Sequence, residues 1–172
     1  MHKLRLLKML VLYLLSKQPR DVLRPAVCRF WITPFDVELT RAVSHAYMAF
    51  AGLGRWCWNF QNINWQRLLK ERWTPLTHSE IVYYRRAAKL FTTIVVTTKL
   101  IWWDEKMAYF EHQLTQGETV CALVYSRGAC FAGKKRVPIN LCAMDSPATP
   151  PMPKPDIIAI WSAADSHVKH IN

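Results

Sequence analysis

Several signatures that would indicate a function directly are missing from this chain of 172 residues. No two of its five cysteines have CxxC spacing, and no group of histidine and cysteine has the spacing of a zinc site. There is also no Gly-rich phosphate loop and no dinucleotide fingerprint. The common zinc and nucleotide motifs are therefore excluded, and the scattered cysteines favour buried free thiols in a reducing compartment.

A long apolar run is missing near the N-terminus. The run at residues 9–15 is far shorter than the ~20 residues that a membrane-spanning helix needs. Basic residues accompany it, as in a signal peptide, but no small-residue cleavage site follows. Residues 1–17 predict an amphipathic helix that packs on the domain, or a basic helix that lies on an anionic membrane surface; cleavage and export is a third alternative. We expect a cytoplasmic protein, either without membrane contact or membrane-peripheral.

Acidic residues are scarce, with 12 Asp and Glu against 23 Lys and Arg, and the net charge is +11. This charge favours an anionic partner, which could be nucleic acid, an acidic membrane or a phosphorylated ligand. No zinc finger, RNP-type motif or helix-turn-helix signature accompanies the charge, so we do not expect nucleic acid to be the partner. A hydrophobic fraction of 51% indicates a packed domain.

The first half of the chain predicts a strand followed by a long helix. Residues 25–33 alternate partly in polarity between two prolines and predict a strand, and residues 34–44 predict a connecting loop. Residues 45–70 have apolar side chains at helical spacing, with a break expected among three asparagines. Ser44 is a candidate N-cap for this helix.

The second half predicts consecutive antiparallel strands, because it is rich in β-branched and aromatic residues with short polar breaks. The predicted strands are residues 76–85, 89–103, 107–115 and 118–132. A basic tip at residues 133–136, an extended Pro-rich segment at 146–155 and a short helix at 156–168 follow. Strand, helix and then a run of strands indicate an α+β domain.

Short motifs along the chain occur in the order typical of one known family. They are Pro34-Phe35-Asp36-Val37-Glu38-Leu39, Tyr47 with Leu53-Gly54-Arg55, Tyr83-Tyr84-Arg85-Arg86, Trp103-Asp104-Glu105-Lys106, and residues 118–124 with the small Ala122. Over residues 25–142 the chain resembles the hotdog-fold acyl-CoA thioesterases, specifically the 4-hydroxybenzoyl-CoA thioesterase-like branch.

The resemblance implies a five-stranded antiparallel sheet wrapped around one long helix. It also implies a homodimer or a dimer of dimers, with the sites at the subunit interface. We expect an N-terminal amphipathic helix at residues 1–20, a hotdog thioesterase-like domain at 21–145, and a Pro-rich extension with a short helix at 146–172.

The resemblance further implies hydrolysis of an acyl-CoA or acyl-carrier-protein thioester without a metal or other cofactor. A carboxylate near the end of the first strand would act as nucleophile or general base, and Glu38 is the first candidate, with Asp36 as its competitor. Backbone N–H groups at the start of the long helix would polarise the thioester carbonyl, because they are free donors at the positive end of the helix dipole.

This chain departs from the family pattern between its carboxylates and the long helix. The second acidic position is Glu38 rather than Asp, and the spacing to Tyr47 is one residue short. His45 is the candidate to replace the family's His or Asn, while Ser44 and Ala46 would lie at the thioester. Tyr47 would line the acyl pocket or pack in the core. The altered pattern favours the alternative of a non-catalytic hotdog protein that binds acyl thioesters or a protein partner.

Two groups of basic residues are candidates for binding the phosphates of coenzyme A. They are Arg85 and Arg86 in one segment, and Lys134, Lys135 and Arg136 in another. A solvated basic face is the alternative interpretation for each of them.

Overall fold

The structure, a computed structural model, describes residues 2–15, 21–42, 44–142 and 150–168. The helices are α1 (His2–Leu15), α2 (Ser44–Asn62), α3 (Trp65–Lys70), α4 (Ile139–Cys142) and α5 (Ile157–Val168). The strands are β1 (Ala26–Trp31), β2 (Val37–Glu38), β3 (Arg41–Ala42), β4 (Trp73–Tyr84), β5 (Thr93–Trp103), β6 (Ala108–Gln116), β7 (Thr119–Ala132) and β8 (Lys135–Val137).

The main sheet is antiparallel throughout, and α2 packs against it. Its strands lie in the order β1-β5-β6-β7-β4, and β8 pairs with the end of β7. The curled sheet contacts α2 through β1, β5, β6 and β7, while β2 and β3 form a separate small hairpin. The predicted α+β architecture, with an antiparallel sheet around one long helix, is confirmed.

Two features of α2 bring it close to the sheet. Phe50 is fully buried and stacks on Phe30 of β1, with 5.7 Å between the ring centroids. One turn further on, Gly54 faces β5, where an added Cβ would lie 2.5 Å from Thr98 Oγ1 and 2.7 Å from Val96 Cγ1. A glycine at this position therefore gives α2 the space to approach the sheet, which offsets its low helix propensity.

The element boundaries differ from the predictions in ways that have physical reasons. The predicted loop at 34–44 contains a 3-10 turn and the β2–β3 hairpin, whose two-residue strands are too short to show a periodic pattern. β4 starts before the predicted residue 76 and includes Pro75, which a strand at the sheet edge tolerates. β5 starts only at Thr93, because Phe91 adopts a left-handed turn conformation (φ 57°). The predicted helix break falls at Asn64, whose side chain caps α3.

The terminal helices cover parts of this core. α1 packs on α2, where Met9 is buried and Tyr13 stacks on Phe60. α5 packs on another cluster, where Trp161 lies against Tyr109 of β6. None of the helices that the structure describes is both long enough and apolar enough to cross a membrane.

Candidate active site

The N-terminal turn of α2 provides free backbone donors. The first four N–H groups of an α-helix have no partner within the helix, and the helix dipole adds partial positive charge there. Ser44 and His45 are exposed at this end, whereas Ala46 and Tyr47 are buried. The first turn is thus anchored by its third and fourth residues and is open to solvent at its first two.

Tyr47 joins the start of α2 to the segment that connects β4 with β5. Its hydroxyl donates to the backbone oxygen of Arg86 (3.1 Å) and accepts from the backbone N–H of Ala88 (2.8 Å). Burial raises the pKa of Tyr47, which keeps the hydroxyl protonated as a donor. The side chain also packs on the ring of Tyr84, so the structure places Tyr47 in the core beside the helix start.

Glu38 lies on the β2–β3 hairpin, which rests on the same connecting segment. Ala42 N–H donates to the backbone oxygen of Ala88 (2.9 Å), and Leu90 N–H donates to that of Thr40 (3.0 Å). Glu38 is exposed, and among the described residues its side chain makes no hydrogen bond or ion pair. A free carboxylate and the start of α2 are therefore both positioned by residues 86–90.

Asp36, in contrast, is enclosed by donors. Arg5 of α1 donates to both of its carboxylate oxygens (2.9 and 2.7 Å), and Thr33 donates to one of them through its N–H (2.9 Å) and its hydroxyl (2.7 Å). Burial alone would raise the pKa of Asp36, but the hydrogen bonds from Arg5 and Thr33 and the charge of Arg5 lower it to about 2. The structure places Asp36 as a tie between α1 and the loop after β1.

We expect Asp36→Asn to lower the free energy of unfolding by about 2 kcal/mol, because it leaves the Arg5 guanidinium without its charge partner. The folded-state pKa lies below the ordinary value of 3.8, so this contribution is complete above about pH 4 and disappears as the pH falls towards 2. Urea unfolding measures it, with the exposed Asp156→Asn as control. Equal stability of the two variants would contradict a stabilising contact between Arg5 and Asp36.

The basic candidates fall into two separate places. Arg85 and Arg86 donate their backbone N–H groups to the oxygen of Cys121, and their side chains are exposed next to the start of α2. Lys134 and Lys135 follow the opposite end of β7, since Tyr84 pairs with Ala122 whereas Lys135 pairs with Ala132. That length of strand spans about 33 Å. Within one subunit, the structure does not bring the two groups together.

A buried polar network under α2 was missed by the sequence analysis. Arg55 donates to Glu80 (3.2 Å) and to the hydroxyl of Ser126 (3.0 Å). His112 lies between Ser126 and Thr98, with its Nε2 2.8 Å from one hydroxyl and its Nδ1 2.9 Å from the other. These residues come from five elements, α2 and the four strands β4 to β7, and only Arg55 belongs to one of the motifs quoted above. Burial first, and then the charge of Arg55, holds the pKa of His112 well below its ordinary value.

We expect the free energy of unfolding to fall as the pH drops below about 6.5. His112 then binds a proton in the unfolded chain but stays neutral in the folded protein, so protonation favours the unfolded state. The slope approaches ~1.4 kcal/mol per pH unit for one such group. Urea unfolding at several values between about pH 8 and about pH 5 measures this slope. The His112→Gln variant should have a lower free energy of unfolding that depends less on pH. The variant at the exposed His78, His78→Gln, should keep the wild-type slope. A slope unaffected by His112→Gln would refute this account.

Side chains and backbone groups of the protein make up the candidate site. Within the described ranges, no three His, Cys, Asp or Glu side chains form a group that could hold a metal ion. The open carboxylate, the free helix donors and the adjacent arginines can activate a nucleophile, stabilise an oxyanion and hold an anionic group, respectively.

The sequence and the fold together define the class of protein. A sheet curled around one long helix is the hotdog fold, as in the solved thioesterases described below. The chain belongs to the thioesterase-like superfamily, which matches residues 36–160. The resemblance predicted from the motifs is confirmed at this level, and assignment to the 4-hydroxybenzoyl-CoA branch stays a prediction. The comparison with curated proteins found no match.

Solved structures share the fold at low sequence identity. The probable thioesterase YbaW from Escherichia coli is 16% identical, with a TM-score of 0.60 over 66% of this chain and 90% of that one. Slr0204, a 1,4-dihydroxy-2-naphthoyl-CoA thioesterase from Synechocystis, is 10% identical, with a TM-score of 0.55 over 72% and 100%. The hypothetical protein SAV2348 from Staphylococcus aureus, solved in complex with CoA, is 12% identical, with a TM-score of 0.58 over 82% and 96%.

Proposed function

We propose that this protein is a thioesterase that hydrolyses acyl-CoA or acyl-carrier-protein thioesters. The observation that carries the proposal is the pairing of an open carboxylate, Glu38, with the free donors at the start of α2, both positioned by residues 86–90. Membership of the thioesterase-like superfamily and the CoA bound to the Staphylococcus aureus protein support the same substrate class.

In the proposed reaction, the backbone N–H groups near Ser44, His45 and Ala46 hold the thioester carbonyl oxygen as it gains negative charge. Glu38 takes a proton from water, whose oxygen bonds to the acyl carbon. The carbon–sulfur bond then breaks, and the thiolate of CoA leaves and takes up the proton. In the alternative, the carboxylate itself attacks, the thiolate leaves, and water then hydrolyses the resulting anhydride, which frees Glu38 and the acid and supplies the proton. Arg85 and Arg86 are suited to the phosphates of CoA, since their side chains are exposed beside the helix start.

A homodimer is part of this proposal. β4 is an edge strand of 12 residues, and no strand among the described residues pairs with its outer side, which is therefore a template for pairing with another chain. Phe35, Leu39 and Phe91 are exposed on the loops around Glu38, and a second subunit would cover such apolar side chains. Sedimentation velocity tests the dimer, because a monomer at micromolar concentration would contradict it.

Peripheral contact with an anionic membrane is a separate part of the proposal. Leu4, Leu7 and Val11 are exposed on α1, and Lys8 is exposed beside them. This apolar and basic combination suits an interfacial helix. Flotation of the full chain with phosphatidylserine vesicles tests the contact, and failure to float would remove it. A cytoplasmic location stays a prediction.

The test of the activity is thiol release from a panel of short, long and aromatic acyl-CoAs, followed with a thiol-reactive dye. Turnover well above the uncatalysed rate supports the thioesterase. A folded dimer that releases no thiol but binds acyl-CoA would instead support a non-catalytic hotdog protein, the alternative that the altered spacing between Glu38 and Tyr47 favours.

A further inference from the structure

A cavity lies between α1, β1 and the middle of α2. Its volume is about 650 Å³, within the range of small-molecule sites. Met9 of α1, Phe30 of β1, and Cys57 and Phe60 of α2 contribute apolar surface to it. These residues are buried or half-buried, so the cavity extends into the apolar interior of the protein.

The charged residues around this cavity are all cations. Arg5, Lys8 and Arg29 line it, and no carboxylate does among the described residues. Arg5 is held by Asp36, but Lys8 and Arg29 are exposed and make no ion pair in the described part of the chain. An apolar interior with an uncompensated cationic rim fits an amphiphile that has one anionic end.

The middle of the cavity lies well away from the start of α2, although Arg5 and Thr33 at its other end also contact Asp36. Cys57 follows Ser44 by thirteen helical residues, which is about 20 Å along the helix axis. The α1 wall lies outside residues 36–160, which carry the superfamily match.

We propose that the cavity between α1, β1 and α2 binds a fatty acid, with its chain among Met9, Cys57 and Phe60 and its carboxylate at Lys8 and Arg29. This binding goes beyond the proposed hydrolysis and does not require it. Cys28 and Cys57 provide a built-in reporter, because both residues line the cavity and are half-buried.

The experiment is displacement of a fluorescent fatty-acid analogue from the full chain by palmitate, below the critical micelle concentration. We expect the Lys8→Glu/Arg29→Glu variant to bind palmitate at least about tenfold more weakly than the wild type. A control variant, Lys70→Glu/Lys106→Glu, changes the net charge equally at exposed lysines elsewhere and should bind as the wild type does. The uncharged alcohol of the same chain length should also bind at least about tenfold more weakly.

Thiol alkylation, followed for each cysteine by mass spectrometry, locates the ligand independently of the variants. Palmitate should slow the modification of Cys28 and Cys57, and excess CoA should leave this protection unchanged. Unaltered palmitate affinity in the Lys8→Glu/Arg29→Glu variant, or no protection of the two thiols, would overturn the proposal. Displacement of palmitate by CoA would also overturn it, because the ligand would then lie in the active site. Fatty-acid binding only in the presence of vesicles would overturn it as well, because the fatty acid would then be at the lipid surface.

Discussion

Glu38→Gln is expected to lower acyl-CoA turnover by at least about a hundredfold, the low end of what a positioned general base contributes. The amide has nearly the shape of the carboxylate, but it neither takes a proton from water nor attacks a carbonyl. Because Glu38 is exposed on a two-residue strand, the substitution should change the free energy of unfolding by less than about 0.5 kcal/mol. Thiol release under saturating substrate, with a urea unfolding curve for each variant, measures both quantities.

Asp36 is poorly placed to replace Glu38. Four hydrogen bonds from Arg5 and Thr33 occupy its two oxygens, and the lowered pKa makes it a weak base. Freeing it would require breaking the contact with α1. We therefore expect little residual activity in Glu38→Gln, whereas turnover that survives there and is lost in Asp36→Asn would reverse the assignment.

A matched control separates the chemistry of Glu38 from a general effect of charge. Glu105 is an exposed acid in the turn between β5 and β6, and Glu105→Gln changes the net charge by the same amount. It should keep wild-type turnover. His45→Ala provides the other arm: loss of turnover there with Glu38→Gln still active would make His45 the essential group at the start of α2.

The parts of the fold that could be predicted are those with a repeating pattern in the sequence. α2 and the four long strands each continue for enough residues to show their periodicity, so their order was evident. The β2–β3 hairpin was missed because it consists of two pairs of residues, Val37 with Ala42 and Glu38 with Arg41. Its position on residues 86–90 depends on tertiary hydrogen bonds that have no local signature.

The candidate site shows the same division. Asp36 and Glu38 could be selected from the order of the motifs, but their different environments could not, because Arg5 lies in a helix outside the matching region. The separation of Arg86 from Lys135 follows from the antiparallel register of β7 with β4 and β8. The positions of basic residues in the sequence do not reveal this register.

The buried network under α2 is a tertiary feature in the same sense. Arg55, Glu80 and His112 are far apart in the sequence and become neighbours only when α2 packs on the sheet. A sequence clue to this close packing is the set of small residues in the first half of α2, Ala49, Ala51, Gly52 and Gly54, of which the two glycines lower helix propensity without an evident local reason.

Gly54→Ala is expected to destabilise the protein by about 2 kcal/mol even though alanine is the better helix former. The new methyl group would lie 2.5 Å from Thr98 Oγ1 and 2.7 Å from Val96 Cγ1, and both neighbours are stiff β-branched side chains on β5. Overpacking of this kind costs about 1–3 kcal/mol or more, and it also disturbs the hydrogen bond between Thr98 and His112. The helix propensity gained, about 1 kcal/mol, offsets only part of this cost.

Gly52→Ala is the matched control, because it makes the same chemical change one half-turn away. A Cβ there would meet only the flexible end of Arg55, at 3.9 Å, so the substitution should stabilise the protein by up to about 1 kcal/mol. Urea unfolding of the two variants beside the wild type should therefore show changes of opposite sign. If both alanine variants were equally stabilised, α2 would not lie as close to β5 as the distances to Thr98 and Val96 indicate. The description of His112 as buried beneath the helix would then be contradicted as well.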